Sequence, residues 1–345
     1  MVSLLGKTIM ELQEVALSVG LPRFAGKQLA EWLYKRRAKS FDEMTNISLK
    51  GREALKTLYT IGRHDPVAHA QSVDGTKKYL FEVGDKQYIE TVFLPEEDRA
   101  TLCVSTQAGC KMGCKFCMTG TLGFHGHLPA GEILNQIFSI PESEQLTNLV
   151  YMGEGEPMDN IDEVLRSLET MCADWGCGWS PHRITVSSVG YTKGLRRFLE
   201  ESECHLAISL HNPFAVERKE IMPIEHSNPL EQVIPLLRQY DWGHQRRLSF
   251  EYICFGGQND TVRHGKELVR VLRGLNCRIN LIRFHAGVDQ AFKPSDEKQM
   301  VWLRDYLTEK GITTTIRRSR GEDILAACGM LVNSLSAHPC EDKQK

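Results

Sequence analysis

The sequence predicts an α/β protein built around a full or partial (β/α) barrel. Three observations support this fold. From about residue 100 onward, strand-like and helix-like segments alternate at least six times, which is typical of a parallel sheet covered by helices. The chain has 345 residues, enough for one large barrel domain and a small addition. Several polar residues directly follow predicted strands, where barrel enzymes carry their catalytic groups.

Hydrophobic periodicity defines the elements of the predicted barrel. Strands are expected at residues 102–105, 148–152, 183–188, 205–210, 248–254, 278–284 and 313–317. Helices are expected near residues 130–139, 161–173, 191–200, 229–239, 262–274 and 295–310. We assign residues 101–335 to this core and residues 336–345 to a C-terminal tail.

Residues 1–65 differ from the core and predict a small helical module. Leu12, Val15 and Val19 recur at helical spacing, and Gly20-Leu21-Pro22 ends that helix. Two more helices are expected at about residues 26–34 and 49–58.

Residues 66–100 predict a β-hairpin linker between the helical module and the core. The stretches KKYLFEV and QYIETVFL flank a Gly-Asp turn, which is the pattern of two antiparallel strands. Within the second stretch, Glu90 places a carboxylate in an apolar strand. Because burial disfavours the charged form of a carboxylate, such a residue suits a general base, and the alternative is a strand residue that faces solvent.

Composition indicates a soluble, cytoplasmic protein. No apolar run approaches the roughly 18 residues that a transmembrane helix needs, and the N-terminus does not resemble a secretion signal. The net charge of −2 argues against a chain that is basic throughout, but residues 1–64 contain 11 Lys and Arg and only 6 Asp and Glu. A basic module suits RNA binding, and the alternative is an ordinary solvated helical surface. The first candidates for RNA contacts are Lys27, Lys35, Arg36 and Arg37.

Eleven cysteines in a chain without a secretion signal argue against a disulfide scaffold. Six of them are scattered, and we expect them to be small buried hydrophobic residues: Cys172, Cys177, Cys204, Cys254, Cys277 and Cys340.

Cys110, Cys114 and Cys117 form a C-x3-C-x2-C motif directly after a predicted strand. Three thiolates can hold three irons of a [4Fe–4S] cluster and leave the fourth iron open for chemistry. A zinc site is the alternative, and it would need a fourth ligand such as His125 or His127.

This motif resembles the signature of the radical S-adenosylmethionine (SAM) enzymes. Further stretches resemble one branch, the RlmN/Cfr family of RNA adenine methyltransferases, over nearly the whole chain. They are CVSTQAGCKMGCKFCMTGTLGF, VYMGEGEPMDN, RITVSSVG, LAISLHNP, INLIRFH and RGEDILAACGML. The resemblance implies a [4Fe–4S] cluster on the three cysteines and two SAM molecules per turnover.

The resemblance also implies which residues contact SAM. Gly155 and Glu156 match the motif that contacts the amino group of the cofactor. The remaining SAM contacts implied by the family are Ser187, Ser209, Leu210, His211 and His285. The sequence departs from the common family pattern at two positions, with Glu154 in place of Met and His285 in place of Asn.

Three residues receive catalytic roles by the same resemblance. Cys328 would carry the methyl group as an S-methylcysteine intermediate. Glu90 would accept a proton, and Cys103 would resolve the protein–RNA adduct through a transient disulfide with Cys328. This route has a physical reason, because carbon 2 of adenine is electron-poor and accepts a carbon radical more readily than it attacks a sulfonium methyl group.

The implied substrates are 23S rRNA at the peptidyl-transferase centre and the adenosine 3′ of the anticodon in tRNA. The implied partners include an electron donor such as flavodoxin or ferredoxin, and we expect a monomer. Methylation at carbon 8, as in Cfr-type antibiotic resistance, shares every motif and stays open. So do a radical SAM enzyme that is not a methyltransferase and a zinc-bound RNA-binding protein.

Overall fold

The N-terminal residues form three helices, as predicted. In the computed structural model, which describes residues 1–84, 86–243, 246–285 and 292–331, Thr8 caps the first helix, which begins at Ile9. The Thr8 amide donates to Glu11 Oε2 at 2.7 Å and the Thr8 hydroxyl accepts from the Glu11 amide at 3.3 Å, which is a capping box. The elements are β1 (Val2–Ser3), α1 (Ile9–Ser18), α2 (Ala25–Ala30) with a π-helical turn (Glu31–Lys35), a 3-10 turn (Phe41–Glu43), α3 (Leu49–Leu58) and β2 (Tyr59–Thr60).

The segment after this module forms three strands, whereas the sequence predicts two. They pair antiparallel in sequence order, and the third pairs with the first strand of the core, so they extend the core sheet. The extra strand was missed because it is short and only half-buried. The three strands are β3 (Ala68–Gln71), β4 (Lys77–Val83) and β5 (Gln87–Pro95), and the first strand of the core is β6 (Ala100–Cys103).

Among the described residues, seven parallel strands continue the sheet and form an open, partial barrel. The strand order is β14-β13-β12-β11-β10-β9-β6-β5-β4-β3, and β7 and β8 form a separate antiparallel pair beside it. Every barrel strand lies within about two residues of its predicted range. The remaining strands are β7 (Gln107–Gly109), β8 (Phe124–His127), β9 (Asn148–Tyr151), β10 (Ile184–Ser188), β11 (His205–Ser209), β12 (Leu248–Cys254), β13 (Arg278–Arg283) and β14 (Thr313–Ile316).

Helices follow the strands, and the six predicted ones are confirmed. Two short helices were not predicted, because each has fewer than eight residues and shows little periodicity. The helices are α4 (Met118–Thr121), α5 (Ala130–Phe138), α6 (Ile161–Cys172), α7 (Thr192–Glu201), α8 (Ala215–Ile221), α9 (Leu230–Leu237), α10 (Val262–Leu272) and α11 (Glu297–Glu309). The 3-10 turns of this region are Pro157–Asn160, Pro181–Arg183, Pro223–His226 and Glu322–Ile324.

The N-terminal helices share one hydrophobic core with the barrel helices. Tyr34 is buried, its hydroxyl donates to the Lys7 carbonyl at 2.6 Å, and its ring packs against Phe138 and Trp175 at centroid distances of 6.5 and 5.8 Å. Arg63 donates to the carbonyl of Phe138, at the end of α5. The proposed division into domains stays a prediction. Cys340 and the tail at residues 336–345 lie outside the described residues, and no described helix is long and apolar enough to span a membrane.

Candidate active site

Two adjoining cavities lie at the carboxyl ends of the parallel strands. The smaller, of about 140 Å³, is lined by residues in or just after β9, β10 and β11 and by residues in β12. The larger, of about 300 Å³, is lined by β5, β6, β9 and the segment after β14. Because parallel strands end at the same edge of a sheet, residues distant in sequence meet here. Five of the predicted SAM contacts line the smaller cavity: Gly155, Glu156, Ser187, Ser209 and His211.

Glu156 provides a buried carboxylate in the smaller cavity. Its Oε2 accepts from the Val189 amide at 2.8 Å and its Oε1 from the Met158 amide at 3.1 Å. Burial raises the pKa of Glu156 to about 7, although these hydrogen bonds act in the opposite direction. Gly155 precedes it with φ of 91°, and a Cβ there would lie 2.4 Å from Cβ of Gln107. A glycine is therefore required, and the carboxylate is available for a cationic group.

His211 is a neutral, fully enclosed imidazole at the wall of the same cavity. Its Nδ1 accepts from the Ile253 amide at 3.0 Å, which assigns the ring proton to Nε2. Burial, with a smaller contribution from Arg218, lowers the pKa of His211 to about 3. The ring packs edge-on against Phe116 of the cysteine loop at 4.8 Å. His211 therefore connects the end of β11 to the loop that carries the three cysteines.

The other two predicted SAM contacts lie elsewhere. Leu210 is fully buried, and its backbone amide donates to the Glu251 carbonyl at 3.0 Å. His285 lines the larger cavity instead of the smaller one, where its Nε2 is 2.8 Å from Ser319 Oγ and its Nδ1 is 3.4 Å from Glu322. Their roles as cofactor contacts stay predictions.

Arg218 on α8 is a structural anchor of the cofactor edge that the sequence analysis did not single out. Its guanidinium is fully buried and pairs with the carboxylate of Glu225. Its Nε donates to the Leu210 carbonyl at 3.0 Å, and its Nη2 donates to the carbonyls of Ser209 and Val189 at 2.9 and 3.0 Å. One side chain thus ties together the ends of β10 and β11. No local pattern in the sequence sets Arg218 apart from the other arginines.

The three cysteines lie on a loop closed at its neck by backbone contacts. The Cys110 amide donates to the Gly123 carbonyl at 2.8 Å. A Cβ on Gly109, whose φ is 70°, would lie 2.0 Å from that same oxygen, so the neck requires glycine. Within the loop, the Cys117 amide donates to the Cys114 carbonyl at 3.1 Å. The loop packs in a small apolar cluster with Met222 and Phe255.

The thiols of the loop suit a polynuclear cluster better than a single ion. Burial raises the pKa of Cys110 to about 12 and raises the pKa of Cys114 and Cys117 as well, so the free thiols are protonated. Metal binding removes such protons. Among the described residues, no three Cys, His, Asp or Glu side chains converge on a single-ion site. A cubane binds each cysteine through a different iron and therefore needs wider spacing.

The two histidines weighed as zinc ligands make other contacts. His125 Nε2 is 3.1 Å from the Leu122 carbonyl, and His127 Nδ1 is 3.1 Å from Gln107 Nε2. Neither histidine belongs to a group of three Cys, His, Asp or Glu side chains that could hold a single ion among the described residues, so the structure does not support the zinc alternative.

Cys328 and Cys103 both line the larger cavity, although they are 225 positions apart in the sequence. Cys103 ends β6, where it pairs with Val92 of β5. Burial raises the pKa of Cys103 to about 12, and the neighbouring thiol of Cys328 adds to the increase. Cys328 lines both cavities and is exposed to their open space, although the protein atoms packed around it raise the pKa of its thiol. The backbone around it is fixed, because the Gly329 carbonyl accepts from the amide of Met118 at 2.8 Å.

Glu90 is buried, as the general-base hypothesis requires, and it is paired with a cation. Lys78 Nζ lies 3.0 Å from Glu90 Oε1, and both side chains are nearly inaccessible. Lys78 also donates to the carbonyl of Leu325, three residues before Cys328. Along β5, Glu90 and Val92 share a face, and Val92 lines the larger cavity. Glu90 therefore lies beside the cavity but does not line it.

Glu154, the departure from the family pattern, joins two parts of the site. It is buried, its Oε1 accepts from the Glu90 amide at 2.7 Å, and its Oε2 accepts from the Gly109 amide at 3.3 Å. A methionine has one weakly accepting sulfur and could not replace the two carboxylate oxygens. In this chain the carboxylate links the strand of Glu90 to the neck of the cysteine loop.

The predicted RNA contacts lie on the N-terminal module and line neither cavity. Lys27 and Lys35 are exposed, whereas Arg36 pairs with Glu31 at 2.7 Å and half-buried Arg37 stacks on Phe138. A second set of cations was missed. Among the described residues, four arginines and one glutamate line the larger cavity: Arg99, Arg317, Arg318, Arg320 and Glu96. The signal for three of them was the run RRSR directly after the last strand.

Comparison with known proteins agrees with this geometry. Residues 2–61 match the family described as "Ribosomal RNA large subunit methyltransferase N-terminal domain", and residues 104–268 match the radical SAM superfamily. A relative from Porphyromonas gingivalis, named "Probable dual-specificity RNA methyltransferase RlmN", is 58% identical over 99% of both chains. One from Syntrophus aciditrophicus, named "Dual-specificity RNA methyltransferase RlmN", is 38% identical over 93% of both.

This chain belongs to the RlmN family of radical SAM RNA methyltransferases. A solved structure of a radical SAM methyltransferase from Sphaerobacter thermophilus is 36% identical and matches with a TM-score of 0.90, covering 97% of this chain and all of that one. The predicted fold class is therefore confirmed. As a radical SAM protein, the chain uses a [4Fe–4S] cluster and SAM.

Replacing Arg218 with methionine should lower the free energy of unfolding by about 3–5 kcal/mol, because it leaves a buried carboxylate and three carbonyls without their donor. Urea denaturation of the apo-protein measures the change. Arg197→Met is the matched control, since it removes two exposed ion pairs, with Asp162 and Glu201, and should cost less than about 1 kcal/mol. Equal effects of the two variants would contradict the anchoring role.

Replacing Glu154 with methionine should cost roughly 2 kcal/mol or more, because two buried amides lose their acceptor. Thermal and urea unfolding provide the measurement. Glu144→Met changes an exposed carboxylate and should stay within about 0.5 kcal/mol. A Glu154→Met protein as stable as the parent would show that the two hydrogen bonds of Glu154 contribute little to the free energy of unfolding.

Glu156 should make the apo-protein less stable as the pH rises. Its pKa in the folded state, about 7, lies above the ordinary value of 4.5, so its contribution is full below pH 4.5 and is lost as the pH passes 7. Between pH 5 and pH 8, the stability of the parent relative to Glu156→Gln should fall by about 2–3 kcal/mol. Urea denaturation of both proteins tests this, and parallel pH profiles would refute the raised pKa.

Proposed function

We propose that this protein methylates carbon 2 of adenine in 23S rRNA and in tRNA. The observation that carries the proposal is the meeting of Cys328 and Cys103 in one cavity that adjoins the cofactor cavity. A methyltransferase that uses an ordinary nucleophile needs no pair of cysteines at this point. The names of the relatives support two classes of RNA and favour the carbon 2 reaction over the carbon 8 reaction of the Cfr type.

In this proposal, two sets of residues hold the cofactors. Cys110, Cys114 and Cys117 bind the cluster, and the residues of the smaller cavity bind SAM, with Glu156 facing its amino group. Ser187, Ser209, the backbone of Leu210 and His211 complete that cavity, and His285 contacts the adenine side from the larger cavity. When bound, the cofactors supply a methyl group and a 5′-deoxyadenosyl radical.

Cys328 acts first in the proposed reaction. Its thiolate accepts a methyl group and becomes S-methylcysteine, and a second SAM molecule is used when this methyl group loses a hydrogen atom to a radical. The methylene carbon on Cys328 then bonds to carbon 2 of the adenine. Part of the cavity wall is apolar, formed by Val92, Leu94 and Leu331, and these side chains would limit the access of water to a reactive carbon.

Glu90 and Cys103 complete the reaction. The Glu90 carboxylate, whose Oε1 lies 3.0 Å from Lys78 Nζ, accepts the proton from the adenine carbon. The adduct also gives up one electron, which the cluster would accept. The Cys103 thiolate then attacks the Cys328 sulfur, so that the S–S bond forms as the bond between that sulfur and the methylene carbon breaks. The released carbon takes up a proton from solvent and becomes the methyl group of the product. Reduction of that disulfide regenerates both thiols.

The enzyme also binds RNA and receives electrons from a partner protein. The arginines of the larger cavity bind RNA phosphates near the target base. Farther from that base, RNA is bound by the basic N-terminal residues Lys27, Lys35, Arg36 and Arg37. A flavodoxin or ferredoxin supplies electrons, the enzyme is a monomer, and it acts in the cytoplasm, where both RNA classes reside.

Anaerobic protein incubated with SAM, a reductant and unmodified 23S rRNA or tRNA should produce 2-methyladenosine, detected by mass spectrometry of the digested RNA. Cys328→Ala should abolish the product, because it removes the methyl acceptor. Cys277→Ala is the matched control, since Cys277 is buried away from both cavities and the product should persist.

Other products would change the assignment. Formation of 8-methyladenosine would show that the enzyme catalyses the carbon 8 reaction instead. If 5′-deoxyadenosine forms but neither RNA gains a methyl group, the proposed substrate is wrong although the radical chemistry remains.

A further inference from the structure

We propose that Arg317, held by Glu251, is a positioning residue that supplies the positive charge beside Cys328 and keeps this cysteine ready to accept a methyl group as a thiolate. The inference rests on the proposed role of Cys328 as methyl acceptor. Neither the sequence motifs nor the family match gives a role to the ion pair of Arg317 and Glu251.

Arg317 lies where the two cavities meet. It directly follows β14, and its backbone is held on both sides, since its amide donates to the Leu281 carbonyl and its own carbonyl accepts from Arg283 Nη1, both at 2.8 Å. Its Nη1 also lies 3.7 Å from Met152 Sδ. The residues shared by both cavities are Met152, Gly153, Ile282, Arg317, Cys328 and Gly329.

Glu251 on β12 fixes the guanidinium. Its side chain is buried, and its Oε1 accepts from Asn280 Nδ2 at 2.7 Å and from Ser249 Oγ at 3.2 Å. Its Oε2 accepts from Arg317 Nη1 at 3.3 Å. Because the other carboxylate oxygen is occupied by neutral donors, Glu251 holds Arg317 in one orientation at the cavity junction.

The chemistry of Cys328 requires such a cation. A thiolate, and not a thiol, is the effective nucleophile. Burial raises the pKa of Cys328, and Arg317 acts against that increase, whereas Glu251 adds to it. The same guanidinium opposes the increase in the pKa of Cys103. The other titratable or charged residues lining the larger cavity are Glu96, Arg99, His285, Arg318 and Arg320.

The positive charge of Arg317 assists the transfer of a methyl group to Cys328. The Cys328 thiol loses its proton to solvent, and the thiolate sulfur donates an electron pair to the methyl carbon of the sulfonium donor. A new S–CH3 bond forms on Cys328 as the old S–CH3 bond breaks, and the neutral thioether S-adenosylhomocysteine leaves. No oxidant or reductant is required, so the step can be studied without RNA.

The test measures the pH dependence of Cys328 alkylation in cluster-loaded, anaerobic protein without SAM or RNA. Iodoacetamide labels the cysteine, and peptide mass spectrometry follows the Cys328 peptide after its starting mass has shown that it is unmethylated. Arg317→Gln keeps a hydrogen-bond donor for Glu251 but removes the charge. We expect the midpoint of its profile to rise by about one pH unit, so that labelling at pH 7.5 slows about tenfold.

Matched variants separate charge from structure. Arg317→Lys keeps the charge and should label within about twofold of the parent, and Arg318→Met, which removes a neighbouring arginine of the same cavity, should do the same. Circular dichroism and cluster absorbance check folding, and Arg317→Met replaces Arg317→Gln if the latter does not fold. An unshifted profile in the neutral Arg317 variant, or an equal shift in Arg318→Met, would overturn the inference.

A second readout uses SAM alone. Methylation of the Cys328 peptide in Arg317→Gln should be about tenfold slower than in the parent at pH 7.5 and should recover at pH 9, which a purely structural defect would not do. Because neither assay contains RNA, a shifted profile combined with unmethylated RNA would leave Arg317 in its role and refute only the proposed substrate.

Discussion

The buried guanidinium of Arg218 holds together the edge of the sheet on which the cofactor cavity is built. Parallel strands end in carbonyl groups that have no partner in the sheet, and in a closed site water is not there to satisfy them. Arg218 donates to the carbonyls of Val189, Ser209 and Leu210 and is itself neutralised by Glu225. The positions of Ser209 and His211 depend on this contact, as does the backbone around Glu156, because the Val189 amide that donates to Glu156 belongs to the same turn.

The antiparallel strands at the edge of the sheet give the segment of Cys328 a surface to rest on. Asp74 accepts from the Gly321 amide at 3.1 Å, Ser72 donates to Asp323 at 2.5 Å, and Lys78 reaches the Leu325 carbonyl. On the other side, Thr119 of the cysteine loop donates to the Leu331 carbonyl at 3.2 Å. The segment of Cys328 is therefore clamped between the strand that carries Glu90 and the loop that would hold the cluster. This arrangement brings the proposed methyl acceptor, proton acceptor and cluster ligands together around two connected cavities.

Local patterns predicted the elements and most of the motif residues, because periodicity and spacing are properties of short segments. The strand β12 was predicted at its observed limits, and Gly155, Glu156, Ser187, Ser209 and His211 meet in one cavity as their positions after successive strands suggested. The residues that were missed act through long-range contacts. Arg317 and Glu251 lie 66 positions apart, and Lys78 becomes informative only when it is seen beside Glu90 on the neighbouring strand. No local pattern distinguishes such charged residues from those of a solvated surface.

The sequence by itself determined the alternating fold and the three-cysteine motif, since each is written in residue type and spacing, and its resemblance to the family singled out Cys103 and Cys328. Only the tertiary structure decided that Cys103 and Cys328 share a cavity, that Glu154 bridges the Glu90 strand to the cysteine loop, and that His285 lies apart from the other predicted SAM contacts. The physical reason is that burial and ion pairing depend on which segments pack together. A buried charge is stabilised by an oppositely charged partner. Which residue becomes that partner depends on the packing of distant segments and not on the adjacent sequence.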